Sequence, residues 1–264
     1  MEKHIFRKES MNTEIVLSIV CESLSYARSA AEDALFLLER IESALSAYME
    51  SSDVFAINSA KVDDMIKVSD YTMDCLIESA KIYDMTLGSV DVCNGAFFLN
   101  NKNQASAENP SRISLLIDNE NFWVKKTSEG SLDFGAIGKG YAVDVLAKHL
   151  EECWSIKNAL IDFGASSILA LGKDENNQDW KISIDGKDID LRLKNKYSIA
   201  SSGTSVQGSH ILDRNLAPVQ EGKKISVIAP TALLADAFST AFMILDSQEI
   251  DELSALYDLK SIII

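Results

Sequence analysis

Residues 132–150 read LDFGAIGKGYAVDVLAKHL, and they pass from a strand-like start into a helix. The first residues are typical of a short buried strand, and the apolar residues from Tyr141 onward recur at helical spacing. Between them, around Lys139, lie three of the chain's 12 glycines: Gly135, Gly138 and Gly140. A glycine-rich turn that enters a helix presents backbone N–H groups to an anion, and a lysine adds charge. Glycines that only form a tight turn, with Lys139 in solvent, would give the same pattern.

The sequence on either side of this segment predicts the fold class. A β-branched run at 14–20 predicts a first strand, and periodic apolar residues predict helices around 35–48, 71–85, 141–153 and 232–245. Short strands are predicted at 112–118, 122–126, 131–134, 159–164, 167–172, 180–185, 196–201, 224–230 and 260–264. Consecutive strands without intervening helices argue against βαβ alternation. We therefore predict an α+β fold, mainly antiparallel sheet with packed helices, as one compact domain spanning 1–264.

The first two predicted helices each have one apolar face. In the first we expect these residues to point inward: Leu35, Leu38, Ile41, Leu45 and Tyr48. In the second we expect the same of Met73, Leu76, Ile77, Ala80 and Tyr83. Residues three or four apart share one face of a helix, so each set would pack against a core.

Charge and composition exclude several classes of function. The chain of 264 residues carries 40 acidic and 25 basic residues, a formal charge of -15 that repels nucleic acids and anionic membranes. The N-terminal residues contain no uninterrupted apolar run of signal-peptide length and no lipobox pattern, and no stretch approaches the roughly 18 apolar residues of a membrane span. We therefore expect a cytoplasmic protein without a membrane segment or a nucleic-acid partner.

The four cysteines are widely spaced, at Cys21, Cys75, Cys93 and Cys153. None belongs to a CxxC pair or has a histidine at ligand spacing, which argues against zinc, haem and a disulfide scaffold. We expect them to be buried and inert, as free cysteines usually are.

The stretch LLADAFSTAF at 233–242 contains an aspartate in an apolar helix. Asp236 and Thr240 are four residues apart and would face the same way. Apolar neighbours surround them: Ala235, Ala237, Phe238, Ala241 and Phe242. A buried carboxylate must be paired, hydrogen-bonded or bound to a metal, and oxygen ligands of this kind suit Mg²⁺. An Asp236 that only forms local hydrogen bonds is the alternative.

A histidine follows a run of small polar residues further along the chain. His210 lies three residues before Asp213 and is a candidate general base, although a lone histidine is more often structural. His149 lies in phase with a helix face and His4 near the terminus, and neither is assigned a role.

Three ordered motifs give the chain a specific resemblance. The segment 133–144, the pair Ser202 and Gly203 with HILD at 210–213, and ADAFSTA at 235–241 are similar to motifs of the ApbE-type flavin transferases. Weaker similarities precede them, and together the resemblance covers roughly residues 11–245. Family members have an α+β, T-fold-like fold.

The resemblance implies a reaction and a site. FAD would be split at its pyrophosphate, FMN would be joined to a threonine or serine hydroxyl of a target protein, and AMP would leave. Mg²⁺ would be held by the Ala136 carbonyl, Asp236 and Thr240, with Ser239 close by, and His210 would take the hydroxyl proton. The implied cofactor-binding residues are Met11, Tyr48, Asp91, Asp133, Lys139, Ser202, Gly203 and Ile211.

Some segments depart from the family pattern. Residues 165–167, Ala-Ser-Ser, stand where relatives have two glycines and an acidic or amide residue, and 214–216 lack the usual proline and Thr-Gly turn. Cys93 and Asn94 replace a Thr-Val pair. An added Cβ could narrow the space beside the cofactor. Two alternatives therefore stand beside the transferase: an FAD-binding relative without transfer activity, and an FAD pyrophosphatase that yields FMN and AMP.

Overall fold

A computed structural model describes residues 1–95, 111–184, 187–203 and 224–263. The chain divides into two compact units. One, here the sheet unit, contains Met1–Glu39 and Lys139–Ile264, and the other, the insert unit, contains Arg40–Gly138. The α+β class with mainly antiparallel sheet is confirmed. That both units belong to one domain stays a prediction.

The helices and strands are numbered in chain order over the described residues. The helices are α1 (Leu24–Leu45), α2 (Asp53–Ser59), α3 (Asp70–Met85), α4 (Gly138–Glu152), α5 (Ala232–Ala241) and α6 (Ser247–Tyr257). The strands are β1 (Glu2–Ser10), β2 (Thr13–Cys21), β3 (Met65–Lys67), β4 (Leu115–Asp118), β5 (Trp123–Lys126), β6 (Ala159–Phe163), β7 (Ser167–Leu171), β8 (Trp180–Ile184), β9 (Lys187–Leu193), β10 (Ser198–Gly203), β11 (Lys224–Ala229) and β12 (Lys260–Ile263). None of these helices is long and apolar enough to cross a membrane.

The sheet unit is built on a seven-stranded sheet in the order β1-β2-β6-β7-β10-β11-β12. Every neighbouring pair is antiparallel. The β8–β9 hairpin adds Trp180 and Ile182 to a core that includes Ile168 and Ile199 on one face of the sheet. Because side chains alternate along a strand, Ser202 points to the other face, where helix α5 packs on β10 and β11.

The insert unit has its own small sheet and capped helices. Its three strands are antiparallel in the order β3-β5-β4. Ser52 and Ser69 cap α2 and α3 by accepting hydrogen bonds from backbone N–H groups of the first turn. The Asp53 carboxylate joins these two helix starts, since it accepts hydrogen bonds from the backbone and hydroxyl of Ser69 and from the hydroxyl of Thr72.

The structure corrects several predictions of secondary structure. Residues 131–134 form no strand, although Leu132 and Phe134 are buried. The N-terminal residues form β1, which was not predicted, and His4 is buried in that strand. Helix α6 was not predicted, although Asp246 and Glu249 form a capping box that signals its start. The missed elements are short or polar, so their hydrophobic pattern is weak.

Other corrections concern which side chains are buried. Tyr48 lies beyond the end of α1 and is 51% exposed. On α3, Ala80 and Tyr83 are exposed and Ile77 is half-buried, because the buried face instead follows Met73, Cys75, Leu76 and Ile82. The expectation of buried cysteines holds for Cys75 and is wrong for Cys153, which is exposed. The predicted inward face of α3 is therefore rotated toward solvent relative to the face that is buried in the structure.

Candidate functional site

The glycine-rich start of α4 lies directly against α5. A Cβ added to Gly140 would lie 2.3 Å from the carbonyl oxygen of Ala232 and 2.8 Å from the Cβ of Asp236, so no other residue fits without a shift of backbone. The Gly140 N–H donates a 2.8 Å hydrogen bond to Oδ2 of Asp236. This glycine therefore permits a close contact between two helices, and the contact presents a backbone donor to the predicted ligand Asp236.

An aspartate on α4 caps the start of α5. Asp144 lies one helical turn after Gly140, and its two carboxylate oxygens accept 2.8 Å hydrogen bonds from the N–H groups of Ala232 and Leu233. These donors have no partner within α5 itself, because they belong to its first turn. Asp144 belongs to the 133–144 motif, but no role was predicted for it from the sequence. Its spacing from Gly140 on one helix face was the available signal.

Asp236 is a buried carboxylate with few partners. It is 5% exposed, and in the described chain its carboxylate receives one hydrogen bond, from Gly140. Burial raises the pKa of Asp236 to about 6, and the nearby charge of Lys139 and the Gly140 N–H act in the opposite direction. The prediction that Asp236 lies on an apolar helix is confirmed, since Ala235, Ala237 and Phe238 are all fully buried.

Three hydroxyl groups lie together on the α5 side of the sheet. Ser202 Oγ lies 2.7 Å from Ser239 Oγ and 3.0 Å from Thr240 Oγ1. Ser239 is fully buried, and its hydroxyl donates a 2.9 Å hydrogen bond to the backbone carbonyl of Asp236. The end of β10 and one turn of α5 thus bring three predicted site residues into contact, although 37 and 38 positions separate Ser202 from the other two.

In the insert unit, the segment before α4 is held by backbone contacts. The Asp133 N–H donates to the carbonyl of Val92 at 2.9 Å, and Asp133 Oδ1 accepts from the Gly135 N–H at 2.8 Å. The Asn58 side chain bonds both backbone groups of Leu132, at 2.7 and 3.0 Å. These contacts orient a loop that contains the predicted residues Asp133 and Ala136.

A buried lysine contacts Asn58, the residue that holds this loop. Lys126 is 1% exposed, and its Nζ donates a 3.1 Å hydrogen bond to the carbonyl oxygen of Asn58. Neither Lys126 nor Asn58 was predicted from the sequence to have a role. The sequence does not indicate that Lys126 is buried, because lysine is rarely buried even at an inward-facing position of a strand.

Asp91 lies in a different environment from Asp236. Its carboxylate accepts hydrogen bonds from Arg112 Nε at 2.6 Å, Arg112 Nη2 at 3.3 Å, the Cys93 N–H at 3.0 Å and Asn94 Nδ2 at 3.1 Å. The bond to Asp91 raises the pKa of Arg112. Burial, followed by the charge of Asp91, raises the pKa of Cys93 to about 11, so this thiol is protonated at neutral pH. Asp91 thus organises its own 3₁₀ turn.

The remaining predicted residues are distributed over several elements. Met11 forms the tight β1–β2 turn with Asn12, and both have positive φ. Gly203 ends β10, and Lys139 and Ala136 are half-buried. His210 and Ile211 lie outside the residues that the structure describes.

The donor groups of the sheet unit are suited to Mg²⁺. Within the described ranges, no group of three or more His, Cys, Asp or Glu side chains could hold a metal ion. The predicted site does not need one, because Mg²⁺ usually takes one or two carboxylates and keeps waters or substrate phosphates as other ligands. Asp236 supplies a buried carboxylate with acceptor capacity to spare, and the Thr240 hydroxyl lies one helical turn away. The role of Ala136 as a third ligand stays a prediction.

The chain is similar in sequence to proteins of one family. A sequence model of the ApbE family matches residues 11–263. The FAD:protein FMN transferase of Vibrio cholerae is 24% identical over 242 residues, covering 80% of this chain and 72% of the relative. The protein of the same name from Buchnera aphidicola is 26% identical over 241 residues, covering 79% and 70%.

Solved structures show the same fold. The flavin transferase ApbE from Vibrio cholerae superposes with a TM-score of 0.82 at 20% identity, covering 99% of this chain and 93% of that one. The apo flavinyl transferase ApbE from Pseudomonas stutzeri gives 0.81 at 19% identity, covering 99% and 92%. At this identity the likeness concerns the fold.

Proposed function

The chain belongs to the ApbE family, and on that premise we propose that it transfers FMN from FAD to a threonine or serine hydroxyl of a target protein and releases AMP. The observation that carries the proposal is the environment of Asp236. This carboxylate is buried, weakly hydrogen-bonded and close to Lys139, on a helix whose next turn presents Thr240. The relatives named FAD:protein FMN transferase support the same reaction.

The proposed reaction breaks a phosphoanhydride bond and forms a phosphate ester bond. The acceptor oxygen attacks the phosphorus on the FMN side of the pyrophosphate, the bridging P–O bond breaks, and AMP leaves with that oxygen. The hydroxyl proton passes to a base, for which we propose His210. The products are FMN joined to the target as a phosphodiester and free AMP, so the step needs no oxidant or reductant.

We propose Asp236 and Thr240 as Mg²⁺ ligands, together with the Ala136 carbonyl. When bound, Mg²⁺ would neutralise the pyrophosphate charge. Lys139 contributes a second positive charge, which partly offsets the rise in the pKa of Asp236 that burial causes. Close contact between α4 and α5 at Gly140 keeps Asp236 and the Lys139 backbone in a fixed relation.

The remaining roles are proposed from the resemblance. Asp133 would contact FAD, and Met11 and Tyr48 would line the cofactor pocket. Further cofactor contacts are proposed for Gly203 and Ile211. The resemblance alone would also place Asp91 and Ser202 at the cofactor, but the hydrogen bonds of both side chains go to neighbouring protein groups. A single domain over 1–264 and a cytoplasmic location belong to the same proposal.

A turn in the sheet unit favours one of the alternatives. Gly164 and Ala165 form the β6–β7 turn with φ of 60° and 58°. In the ApbE-type motif that the sequence resembles, glycine would stand at the position of Ala165. If the Ala165 Cβ obstructs the flavin side of the site, FAD would bind without transfer of FMN. Water in place of a protein hydroxyl would instead give an FAD pyrophosphatase.

One experiment separates these activities. The purified full chain is incubated with FAD and Mg²⁺, with and without a peptide that contains a flavinylation-type threonine. AMP, free FMN and peptide mass are then followed. We expect the peptide to gain the mass of FMN with an equal amount of AMP. AMP and free FMN in both samples would identify a pyrophosphatase, and bound FAD without AMP would identify a flavin-binding relative.

A His210→Ala variant tests the proposed base. Because a base acts on the acceptor proton rather than on FAD, we expect FAD binding to persist while transfer falls at least ~100-fold. FAD affinity is measured by flavin fluorescence, and transfer by peptide mass. Normal transfer in this variant would exclude His210 as the base.

A further inference from the structure

The three hydroxyls beside Asp236 form a chain with a defined direction. The Asp236 carbonyl can only accept a hydrogen bond, so the Ser239 hydroxyl donates its proton to it, at 2.9 Å. A serine hydroxyl has a single proton. In the 2.7 Å contact between Ser202 and Ser239, the proton must therefore come from Ser202.

The contact between Ser202 and Thr240 has a defined donor as well. Ser202 has already donated its proton to Ser239, so in the 3.0 Å contact between Ser202 and Thr240 the donor is Thr240. The order of donation is Thr240 to Ser202 to Ser239 to the backbone carbonyl of Asp236. The proton of the Thr240 hydroxyl then points toward Ser202, and the lone pairs of Thr240 Oγ1 face away from Ser202.

This order has a consequence for cation binding. A cation binds the lone pairs of a hydroxyl oxygen and is repelled by its proton. A threonine hydroxyl that rotates freely would place its proton toward the cation part of the time. Groups around a metal site commonly orient its ligands, and their removal typically lowers metal affinity about 10- to 100-fold.

We propose that Ser202 is a positioning residue that orients the Thr240 hydroxyl, so that its lone pairs face the Mg²⁺ ion, and that Ser239 anchors Ser202 rather than binding the metal. The proposal depends on the Mg²⁺ site of the proposed function. It assigns Ser202 a role through Thr240 instead of a contact with the cofactor. Full burial of Ser239 agrees with a role inside the protein.

The test measures binding of Mn²⁺, a spectroscopic probe for Mg²⁺ sites, to the full chain by electron paramagnetic resonance, with and without FAD. Four variants are compared with the unaltered protein: Ser202→Ala, Ser202→Thr, Ser239→Ala and Asp236→Asn. We expect about tenfold weaker Mn²⁺ binding for Ser202→Ala and near-normal binding for Ser202→Thr, which keeps a hydroxyl. A thermal unfolding curve for each variant shows whether the fold persists.

Ser201→Ala is the matched control. Ser201 is the neighbouring residue of β10, and its hydroxyl lies 2.7 Å from that of Ser226 on the opposite face of the sheet. This variant also removes a hydrogen bond between two serine hydroxyls of the sheet, but it should leave Mn²⁺ affinity unchanged. An equal loss in Ser201→Ala would overturn the proposal, because the effect would then come from strand stability.

The outcomes separate this proposal from the proposed function. Unaltered affinity in Ser202→Ala, with binding lost in Asp236→Asn, would overturn the positioning role and leave the metal site standing. No Mn²⁺ binding to the unaltered protein would overturn both. If Ser202→Ala does not fold, Ser239→Ala decides, because loss of the terminal acceptor lets Ser202 donate to Thr240 and should weaken binding several-fold.

Discussion

Asp91 in the insert unit and Asp236 in the sheet unit both have largely buried carboxylates, but they differ in their hydrogen-bond partners. The side chain of Asp91 is 9% exposed, and Asp236 as a whole residue is 5% exposed. Asp91 accepts hydrogen bonds from both arms of Arg112, from the Cys93 N–H and from Asn94. Among described residues, one donor reaches the carboxylate of Asp236.

The difference separates a structural carboxylate from one that is available to a ligand. A buried charge is expensive unless it is paired, and the protein supplies a full set of partners at Asp91. At Asp236 the partners are incomplete, so a cation would complete them. We therefore expect changes at Asp236 to affect activity most and changes at Asp91 to affect stability most. Four predictions, ordered by the size of the change they expect, test this contrast.

Replacement of Asp236 by asparagine should have the largest effect. The new amide keeps the shape of the side chain and can still accept from the Gly140 N–H, but it lacks the negative charge that we propose for Mg²⁺. We expect Mg²⁺-dependent release of AMP from FAD to fall at least ~100-fold, since the metal would lose its charged ligand. The melting temperature should stay equal or rise. Release of AMP at the normal rate would show that Asp236 is not a ligand, and would remove the contrast with Asp91.

The second prediction concerns pH in metal-free protein. Because burial raises the pKa of Asp236 from 3.8 to about 6, the folded state holds this proton more tightly than the unfolded state does. The stabilisation is therefore complete below about pH 4 and is lost as pH rises to about 6, with a contribution of about 3 kcal/mol. Urea unfolding of the wild type and of Asp236→Asn across this window measures it. Parallel pH profiles for the two proteins would contradict the prediction.

The third prediction tests the contact that places Gly140 beside Asp236. In Gly140→Ala, the new Cβ would overlap the Ala232 carbonyl, so α4 and α5 must separate, at a cost of about 1–3 kcal/mol. Gly135→Ala is the control, since its Cβ would first meet an Asp133 side-chain oxygen at 3.1 Å, a group that can move. Equal stability losses by urea unfolding would show that helix contact is not the reason for Gly140.

The fourth prediction tests the structural side of the contrast. Asp91→Ala leaves the Cys93 N–H and Arg112 without their acceptor. Because the Arg112 side chain is 49% exposed and water can replace part of the loss, we expect destabilisation of about 1–2 kcal/mol. FAD-dependent activity measured below the unfolding transition should change much less than in Asp236→Asn. An intact fold with lost FAD binding would instead place Asp91 at the cofactor.

Local patterns were sufficient for much of the fold. Strand β2 and helices α4 and α5 were predicted because their hydrophobic periods extend over several turns or pleats. Short β3 and polar β1 give little periodic signal, and the predicted strand at 131–134 failed because its alternating burial comes from a loop held by Asn58. Alternation reports burial, and burial alone does not require a partner strand.

By itself, the sequence determined that Asp236 and Thr240 share one face of an apolar helix and that glycines surround Lys139, because both follow from spacing along the chain. Tertiary structure alone decided that Gly140 meets Ala232, that Asp144 caps α5, and that Ser202 reaches Ser239 and Thr240. These pairs lie far apart in sequence, so their contacts depend on how the sheet and helices pack. The sequence pattern identified the reactive side chains, and the packing of helices and sheet determined which groups they contact.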